Sequence, residues 1–574
     1  MKAPLSLWAP FADDRVEVET GGRRLPMRRG PHGWWRLDEG LPPDTDYRVA
    51  IDGGEGLPDP RSPRQPHGVH GPSRTVDPGR FRWEHDSFRA PPLGSAVLYE
   101  LHVGTFTDRG TFDAVAERLP YLRDLGVTHV QLMPVCSFPG ARGWGYDGVG
   151  LYAPQEAYGG PDGLARLVDA CHGHGLAVLL DVVYNHLGPD GNYLDRFGPY
   201  FTDRYHTPWG KAVNLDGHGS DEVRRFFCDN ARMWLRDYRF DGLRVDAVHA
   251  FLDHSAVHFL EQLAGEVHAL GLELGRPLVV IAESDLNDPR VVTPAEAGGM
   301  GCDAQWTDDI HHAIHALLTG ERTGYYGDFG RIADVAKALE QAFVYDWRYS
   351  PYRGRYHGKA PCGLSKKRFL AYDQTHDQVG NRAGGERLGH LVSPGRVKVA
   401  AALVLGGPFV PMLFQGEEWN ASTPFQYFTD HHDPDLGRAV SEGRRREFGA
   451  FGWRPEDVPD PQAAETFERS RLRWKELDEP GHRDCLAWYR ALLRLRRERA
   501  DLLSDEVRVR FDEQGGWLAM ERPSTTLTCN VSGGPARVPL ESGRPRRPLL
   551  ASEEGTTVEG DVAVLPPDAA LVLG

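Results

Sequence analysis

Basic residues are in deficit in this sequence. Against 82 Asp and Glu stand 66 Lys and Arg, a formal net charge of -16 over 574 residues. The chain therefore lacks the positive field that neutralises phosphates, which excludes a nucleic acid or an anionic membrane as partner. Cysteine is scarce as well. The seven, at 136, 171, 228, 302, 362, 485 and 529, are an odd number with no C-x-x-C pair, so neither a disulfide framework nor a zinc site is expected. No stretch approaches the roughly 18 apolar residues of a membrane span. The N-terminal MKAPLSLWAPFADDR has one Lys and no long apolar run behind it, which leaves the cytoplasm as the expected compartment. No metal or other cofactor follows from the residues.

What is present suits a large protein acting on a neutral, ring-shaped substrate. The chain is 40% hydrophobic and 26% charged, with 14 Trp, 20 Tyr and 24 Phe, enough for large cores and for aromatic platforms that a sugar could stack on. Its length calls for two or three domains, since a (β/α)₈ barrel takes roughly 250 residues, or past 400 with insertions.

Along the first 92 residues short strand-like runs, Arg15 to Glu19, Trp34 to Leu37 and Tyr47 to Ile51, alternate with Gly and Pro clusters, the spacing of a small β-sandwich. An irregular connector, Pro58 to Pro78, follows. From Val97 short apolar runs alternate with longer helical stretches, as βα units around a parallel sheet require. Eight strands are predicted: Val97 to His102, Thr128 to Met133, Leu176 to Val182, Gly242 to Asp246, Leu278 to Glu283, Cys302 to Trp306, Arg368 to Tyr372 and Val410 to Phe414. An insertion is expected at about 188–220, then an amphipathic helix burying Val223, Phe227, Trp234, Leu235 and Tyr238. The catalytic barrel is assigned to 93–480. A helix through Trp488, Leu492, Leu493 and Leu495, its Arg run read as a solvated face, and strands at 507–511, 517–521, 527–531, 562–565 and 570–573 make 481–574 a C-terminal β-sandwich domain.

Catalytic residues of such barrels sit at the C-terminal ends of the strands. Strand three ends Asp181-Val-Val-Tyr-Asn-His186, strand four Arg244-Val-Asp246, strand five Ile281-Ala-Glu283, and strand seven leads to His376-Asp377. A charged group closing a buried run costs stability unless it is paired or used. Singly, each has a bland reading: Asp181 as a strand-end cap, Arg244 as a surface charge, Glu283 as a helix N-terminal acid. Together they supply what glycosidic cleavage needs, one acid to protonate the leaving oxygen and one carboxylate for the oxocarbenium-like centre. Arg244 and Asp246 share a face by the two-residue strand period, so the guanidinium should keep that carboxylate ionised. Glu283 needs a raised pKa, and Asp377 is the like-charge source expected to supply it.

DVVYNH at 181–186, GLRVDAVHA at 242–250, AES at 282–284 and THDQVGN at 375–381 resemble, in order and spacing, the four signature regions of the α-amylase family of glycoside hydrolases. The resemblance implies Asp246 as nucleophile, Glu283 as general acid/base and Asp377 as the third carboxylate, gripping sugar hydroxyls. It also implies a substrate-binding set: His186, Arg244 and His376 line the subsite on the nucleophile side with Tyr146 of WGYDG as its stacking aromatic, His249 faces the leaving group, and Asp147 and Gln378 bind substrate as well. Trp306, Asp308 and Glu418 are candidates for the same leaving-group side.

DPRSPRQPHGVHGPS at 59–73, LFQGEEW at 413–419 and TPFQYFTDHHDPDLGRAVSEGRRREF at 423–448 are similar to a narrower group, the maltooligosyltrehalose trehalohydrolases. This implies cleavage of the α-1,4 bond beside a terminal trehalose, on maltooligosyltrehalose or a related α-glucan, downstream of a maltooligosyltrehalose synthase. Thr375 departs from the pattern, where Asn is expected. The rival is a glycogen branching enzyme, which passes the glycosyl group to another glucan. A reading of another class is an inactive barrel that only binds glycans. His311, His312 and His315 could share a helix face as metal ligands, but a helix covering the barrel is the better account.

Overall fold

A computed structural model describes residues 3–450, 453–544 and 546–574. Eight parallel strands close into a barrel: β1 (Leu98–Leu101), β2 (His129–Leu132), β3 (Ala177–Val182), β4 (Gly242–Val245), β5 (Val279–Ala282), β6 (Ala304–Trp306), β7 (Phe369–Ala371) and β8 (Val410–Phe414). They pair in sequence order, and β8 returns to β1 through Met412 opposite Leu98. Each predicted strand has its observed counterpart, shortened by up to two residues at an end. Both faces of the strands are covered, so even their polar residues, such as Glu100 and Gln131, are buried. Leu98, Leu179, Ile281, Leu370 and Met412 fill the inside, while Tyr99, Leu180, Val245 and Val280 face the surrounding helices. Burying each such side chain is worth roughly 1.5–3 kcal/mol.

Gly242 opens β4 for a steric reason. A Cβ there would lie 2.4 Å from Val279 Cγ2 and 2.6 Å from Val279 O, so only glycine lets β4 and β5 meet in this register. The register places Arg244 opposite Ile281 and Val245 opposite Ala282, bringing Asp246 and Glu283 out side by side.

Before the barrel stand a three-stranded sheet (Ala3–Trp8, Trp34–Leu41, Arg28–Arg29) and a four-stranded one (Arg23–Pro26, Val16–Thr20, Asp46–Ile51, Ser73–Arg74). After it come a five-stranded antiparallel sheet (Arg508–Asp512, Trp517–Glu521, Thr526–Asn530, Ala569–Leu573, Pro548–Ala551) and a three-stranded one (Ala536–Pro539, Val562–Leu565, Thr557–Glu559). No helix among the described residues is long and apolar enough to cross a membrane.

Between β3 and β4 the insertion is a short helix (Leu194–Phe197) and a hairpin (Phe201–Thr207, Gly210–Val213), followed by the amphipathic helix Ser220–Arg236 with Val223, Phe227, Trp234 and Leu235 buried. A second insertion, between β6 and β7, has no counterpart in the sequence reading: a helix (Ile332–Gln341) and a hairpin (Asp346–Ser350, Arg355–Gly358). Asp309 anchors it, accepting from Val344 N at 2.7 Å and Tyr345 N at 2.8 Å.

The Arg run of helix Pro480–Glu498 is not wholly solvated, contrary to expectation. Arg496 is buried and donates to the carbonyls of Leu405, Gly407 and Phe409, closing the end of helix Pro394–Gly406. A planar fork with several donors suits a helix C-terminus whose carbonyls lack partners. On helix Asp308–Thr319 the three histidines are buried among organic partners: His311 Nε2 on Tyr326 Oη at 2.9 Å, His315 Nε2 on Glu321 at 2.9 Å, and His312 stacked on Tyr325.

Candidate active site

Arg244 on β4 is the hub of the barrel mouth. Fully buried, it contacts three carboxylates: Nη1 lies 2.8 Å from Asp181 and 2.8 Å from Asp246, and Nη2 lies 2.9 Å from Glu283 Oε2 as a charge contact, not an aligned hydrogen bond. Its plane rests on Trp306, with Cζ 4.3 Å from the ring centroid. A buried guanidinium needs this much company, since removing one ion from such a set leaves the others unpaired in a poor solvent. The side chains of Asp246, Glu283 and Asp377 are 10%, 19% and 32% exposed, so the three expected carboxylates step from the floor of the cleft toward its mouth.

The two inner carboxylates are driven in opposite directions. Burial pushes both up. For Asp246 that push is outweighed by Arg244, by His186 and by the Asn185 amide, which donates to Oδ2 at 2.7 Å, and the group is held below the ordinary range. For Glu283 burial wins over Arg244, and the charges of Asp246 and Asp377 add to it, leaving the carboxyl well above its usual value. The dominant cause is thus desolvation and not the Asp377 charge expected from the sequence. One group stays an anion and its neighbour keeps its proton, the division that acid-assisted displacement requires.

Backbone geometry fixes the second of these. Ala247, directly after Asp246, has φ +40° and ψ +51°, and this left-handed turn aims its N–H at Glu283 Oε2, 2.8 Å away. Asp377 heads the short helix His376–Gly380, where buried Thr375 is the N-cap, its hydroxyl accepting from Asp377 N at 3.2 Å and Gln378 N at 3.3 Å.

Around the carboxylates, Tyr146 donates to Asp181 at 2.6 Å and stacks on His376, ring centroids 5.0 Å apart. His186 Nε2 donates to the carbonyl of Tyr146 at 3.0 Å. Asp147 is half-buried beside Tyr427, His431 and His186, and burial raises its pKa. Gln378 donates to Asp308 at 3.2 Å, and Asp308, held also by Tyr372 Oη at 2.6 Å, is lifted to about 6, by burial first and then by Asp285 and Asp377. His249 is exposed at the edge, its Nδ1 3.4 Å from Asp285 N.

Two expected leaving-group contacts lie elsewhere. Trp306 is 2% exposed and serves as the floor under Arg244, so it reaches a ligand only through that cation. Glu418 is fully buried behind β1, accepting from Tyr99 Oη at 3.1 Å and Tyr121 Oη at 2.9 Å, because the turn after β8 folds it outside the barrel wall and away from the cleft.

Other groups belong to the site and escaped the sequence reading. Glu100, on β1, receives His376 Nδ1 at 2.8 Å and His376 N at 2.9 Å. Burial opposes a charge on His376, but Glu100 and Asp377 raise its pKa to about 9, so it is an imidazolium at neutral pH. The signal was there: Glu100 is a charge inside an apolar run, the criterion that singled out Asp246. Trp209, at the tip of the first insertion's hairpin, is 47% exposed and lies parallel to His186, centroids 4.6 Å apart.

A closed parallel barrel with acids of opposed ionisation at its C-terminal mouth defines a glycoside hydrolase of the α-amylase class, and the family description "Alpha amylase, catalytic domain" matches residues 78–209. The chain is 48% identical over 99% of its length, and 97% of the other's, to the malto-oligosyltrehalose trehalohydrolase of a Rhizobium species. It is 50% identical over 95% of both chains to that of Arthrobacter ramosus, and 47% identical over 86% of its length and 85% of the other's to that of Saccharolobus solfataricus. The chain belongs to the malto-oligosyltrehalose trehalohydrolase family. Among solved structures it is similar to a putative α-amylase from Salmonella typhimurium, at 37% identity and a TM-score of 0.89, covering 99% of this chain and 97% of that one. A pullulanase from Anoxybacillus, 19% identical with a TM-score of 0.71, covering 99% and 85%, shares the fold.

Proposed function

We propose that this chain hydrolyses the α-1,4-glucosidic bond beside the terminal trehalose of a maltooligosyltrehalose, with retention, releasing trehalose and a maltooligosaccharide. The observation that carries the reading is the near-full-length identity to proteins of that name, joined to the Arg244 hub that separates the ionisation of Asp246 and Glu283. A branching enzyme from Thiobacillus denitrificans is 35% identical over only 52% of this chain. A merely glycan-binding barrel would have no use for one acid held protonated beside one held ionised.

In the proposed mechanism Glu283 gives its proton to the glycosidic oxygen while Asp246 attacks the anomeric carbon, breaking the C–O bond and forming a glycosyl ester. Trehalose leaves. Glu283, now an anion, takes a proton from water, and the hydroxyl group displaces Asp246 from the same face as the original bond. Asp377 and imidazolium His376 hold hydroxyls of the glucose bound there. Asp308 and His249 are the remaining candidates for the leaving-group side. The enzyme acts in the cytoplasm after a maltooligosyltrehalose synthase in this reading.

Product analysis tests it. Maltooligosyltrehalose should give trehalose as the main small product, with the new reducing end first seen by NMR as the α-anomer. A β-anomer would remove Asp246 from its role, and longer or branched glucans would favour the transferase.

A further inference from the structure

Two stretches that the chemistry leaves unused meet outside the cleft: the connector 59–73 ahead of the barrel and the segment 423–448 after its last strand. The loop after β3 joins them. His70 Nε2 lies 2.7 Å from Asp190 Oδ1 and His432 Nδ1 lies 3.4 Å from Asp190 Oδ2, and one ligand atom from each of the three residues falls within 4.8 Å of the others. The two rings stand edge to face, centroids 5.7 Å apart. We propose that His70, Asp190 and His432 form a binding site for one divalent transition-metal ion of the zinc class, which ties the connector to the rim of the barrel.

The donor set selects the ion. Two imidazoles and one carboxylate suit zinc and its neighbours, whereas calcium and magnesium want oxygen alone. Around an ion at about 2.0–2.1 Å from each ligand, tetrahedral donors stand about 3.3 Å apart. His70 Nε2 stands 2.7 Å from one Asp190 oxygen and His432 Nδ1 3.4 Å from the other, and one donor atom from each residue falls within 4.8 Å of the rest, so closing onto an ion takes side-chain shifts of about an ångström. Asp190 forms the floor at 6% exposure, while the imidazoles at 46% and 52% leave a path to solvent and a fourth position for water. An outer partner is in place. His70 Nδ1 is 2.7 Å from Tyr193 Oη, so with its proton there the ring turns a lone pair on Nε2 toward the site. The backbone N–H of His432 donates to Asp190 Oδ2 at 3.0 Å, fixing the carboxylate relative to the third segment.

The consequence reaches the glucose subsite by short tethers. Asp190 follows His186 by four residues, and His432 follows His431, which stands beside Asp147. A bound ion should therefore stabilise the fold around the cleft without entering the chemistry.

Protein stripped by dialysis against a chelator, in a Cys362→Ser background because that thiol is exposed, is titrated with zinc by calorimetry and with cobalt by visible absorption. One ion per chain with micromolar or tighter affinity is expected, together with cobalt d–d bands and a rise in Tm of at least about 2 °C at saturating zinc. Calcium should produce none of these, and kcat should change less than twofold. His70→Ala and His432→Gln should each abolish stoichiometric binding and the Tm rise. Weak multi-site uptake by the unsubstituted protein, or binding unaltered in both variants, overturns the proposal and leaves hydrogen-bonded His–Asp pairs only. The titrations of the unsubstituted protein decide the matter even where a variant fails to fold.

Discussion

At the scale of single residues, burial acts on every acid around Arg244, and the sign of each shift depends on which neighbours answer it. Asp246 has a cation and an amide donor, whereas Glu283 shares the cation and faces two anions. Glu283→Gln should lower hydrolysis of maltooligosyltrehalose by about 10²–10⁴. It should spare the first step on a glycosyl fluoride, whose leaving group needs no proton, so that mass spectrometry finds an ester on Asp246. Equal loss on both substrates would deny Glu283 the acid role. Glu100 offers a second test. With His376 at about 9 when folded and near 6.5 when unfolded, the pair's stabilisation is complete below about pH 6.5 and lost as pH rises through about 9. Glu100→Gln should therefore be more destabilising at pH 6 than at pH 10 in denaturant melts, and should move the His376 NMR titration to lower pH. The pairing of Arg244 with Asp246 was legible from strand period. That of Glu100 with His376 was not, because 276 residues separate them and only barrel closure, with β8 paired to β1, brings Glu100 under the turn that follows β7.

At the scale of elements, what the sequence revealed was whatever obeys a period. The barrel strands and helix Ser220–Arg236 bury continuous runs or faces, and apolar spacing finds them. The hairpin Asp346–Ser350 and Arg355–Gly358 does not, since its strands read DWRYS and RYHG and are largely exposed. It is held from outside the sequence pattern, by Arg353 ion-paired to half-buried Asp285, whose carbonyl also faces His357 Nε2 at 2.8 Å. The short strands Ala536–Pro539, Pro548–Ala551 and Thr557–Glu559 were likewise unseen, two containing proline and the third only three residues long. Thr375 shows how a departure from a motif becomes readable once the element is known. It caps helix His376–Gly380 and so sets the direction of Asp377. Thr375→Ala should cost about 1 kcal/mol in unfolding free energy, and kcat/KM should fall while Thr375→Asn restores both, since its amide oxygen can cap the same N–H groups. A full loss in the Asn variant would mean that the methyl packing matters and the cap does not.

At the scale of the molecule, the N-terminal sheets are bound to the barrel by a few polar anchors set in aromatic surroundings, and these decide whether the two unfold together. Trp8 packs on Tyr200 of the first insertion, centroids 5.2 Å apart. Arg61, from the connector, donates to Tyr152 Oη at 3.0 Å and to Asp229 at 3.0 Å, and its guanidinium lies 5.3–5.4 Å from the rings of Trp34, Tyr152 and Phe226. Trp34 belongs to the N-terminal sheet, Tyr152 and Phe226 to the barrel's surroundings, so one side chain bridges both. Truncating it removes two charge-assisted bonds and a desolvated cation–π contact, about 1.5–3 kcal/mol for each bond to a charged group at most. Asp229 is a third exposed and rehydrates in part, which trims the loss. Arg61→Ala should therefore lower the stability of the first unfolding transition by about 2 kcal/mol and split a single melt into two, with trypsin then cutting the connector first. Arg61→Lys keeps the charge without the plane or the fork, and should fall between. Because Arg61 lies outside the cleft, kcat well below the melt should stay within twofold. An unchanged melt in Arg61→Ala would show that apolar packing around Trp8 suffices to dock the sheets.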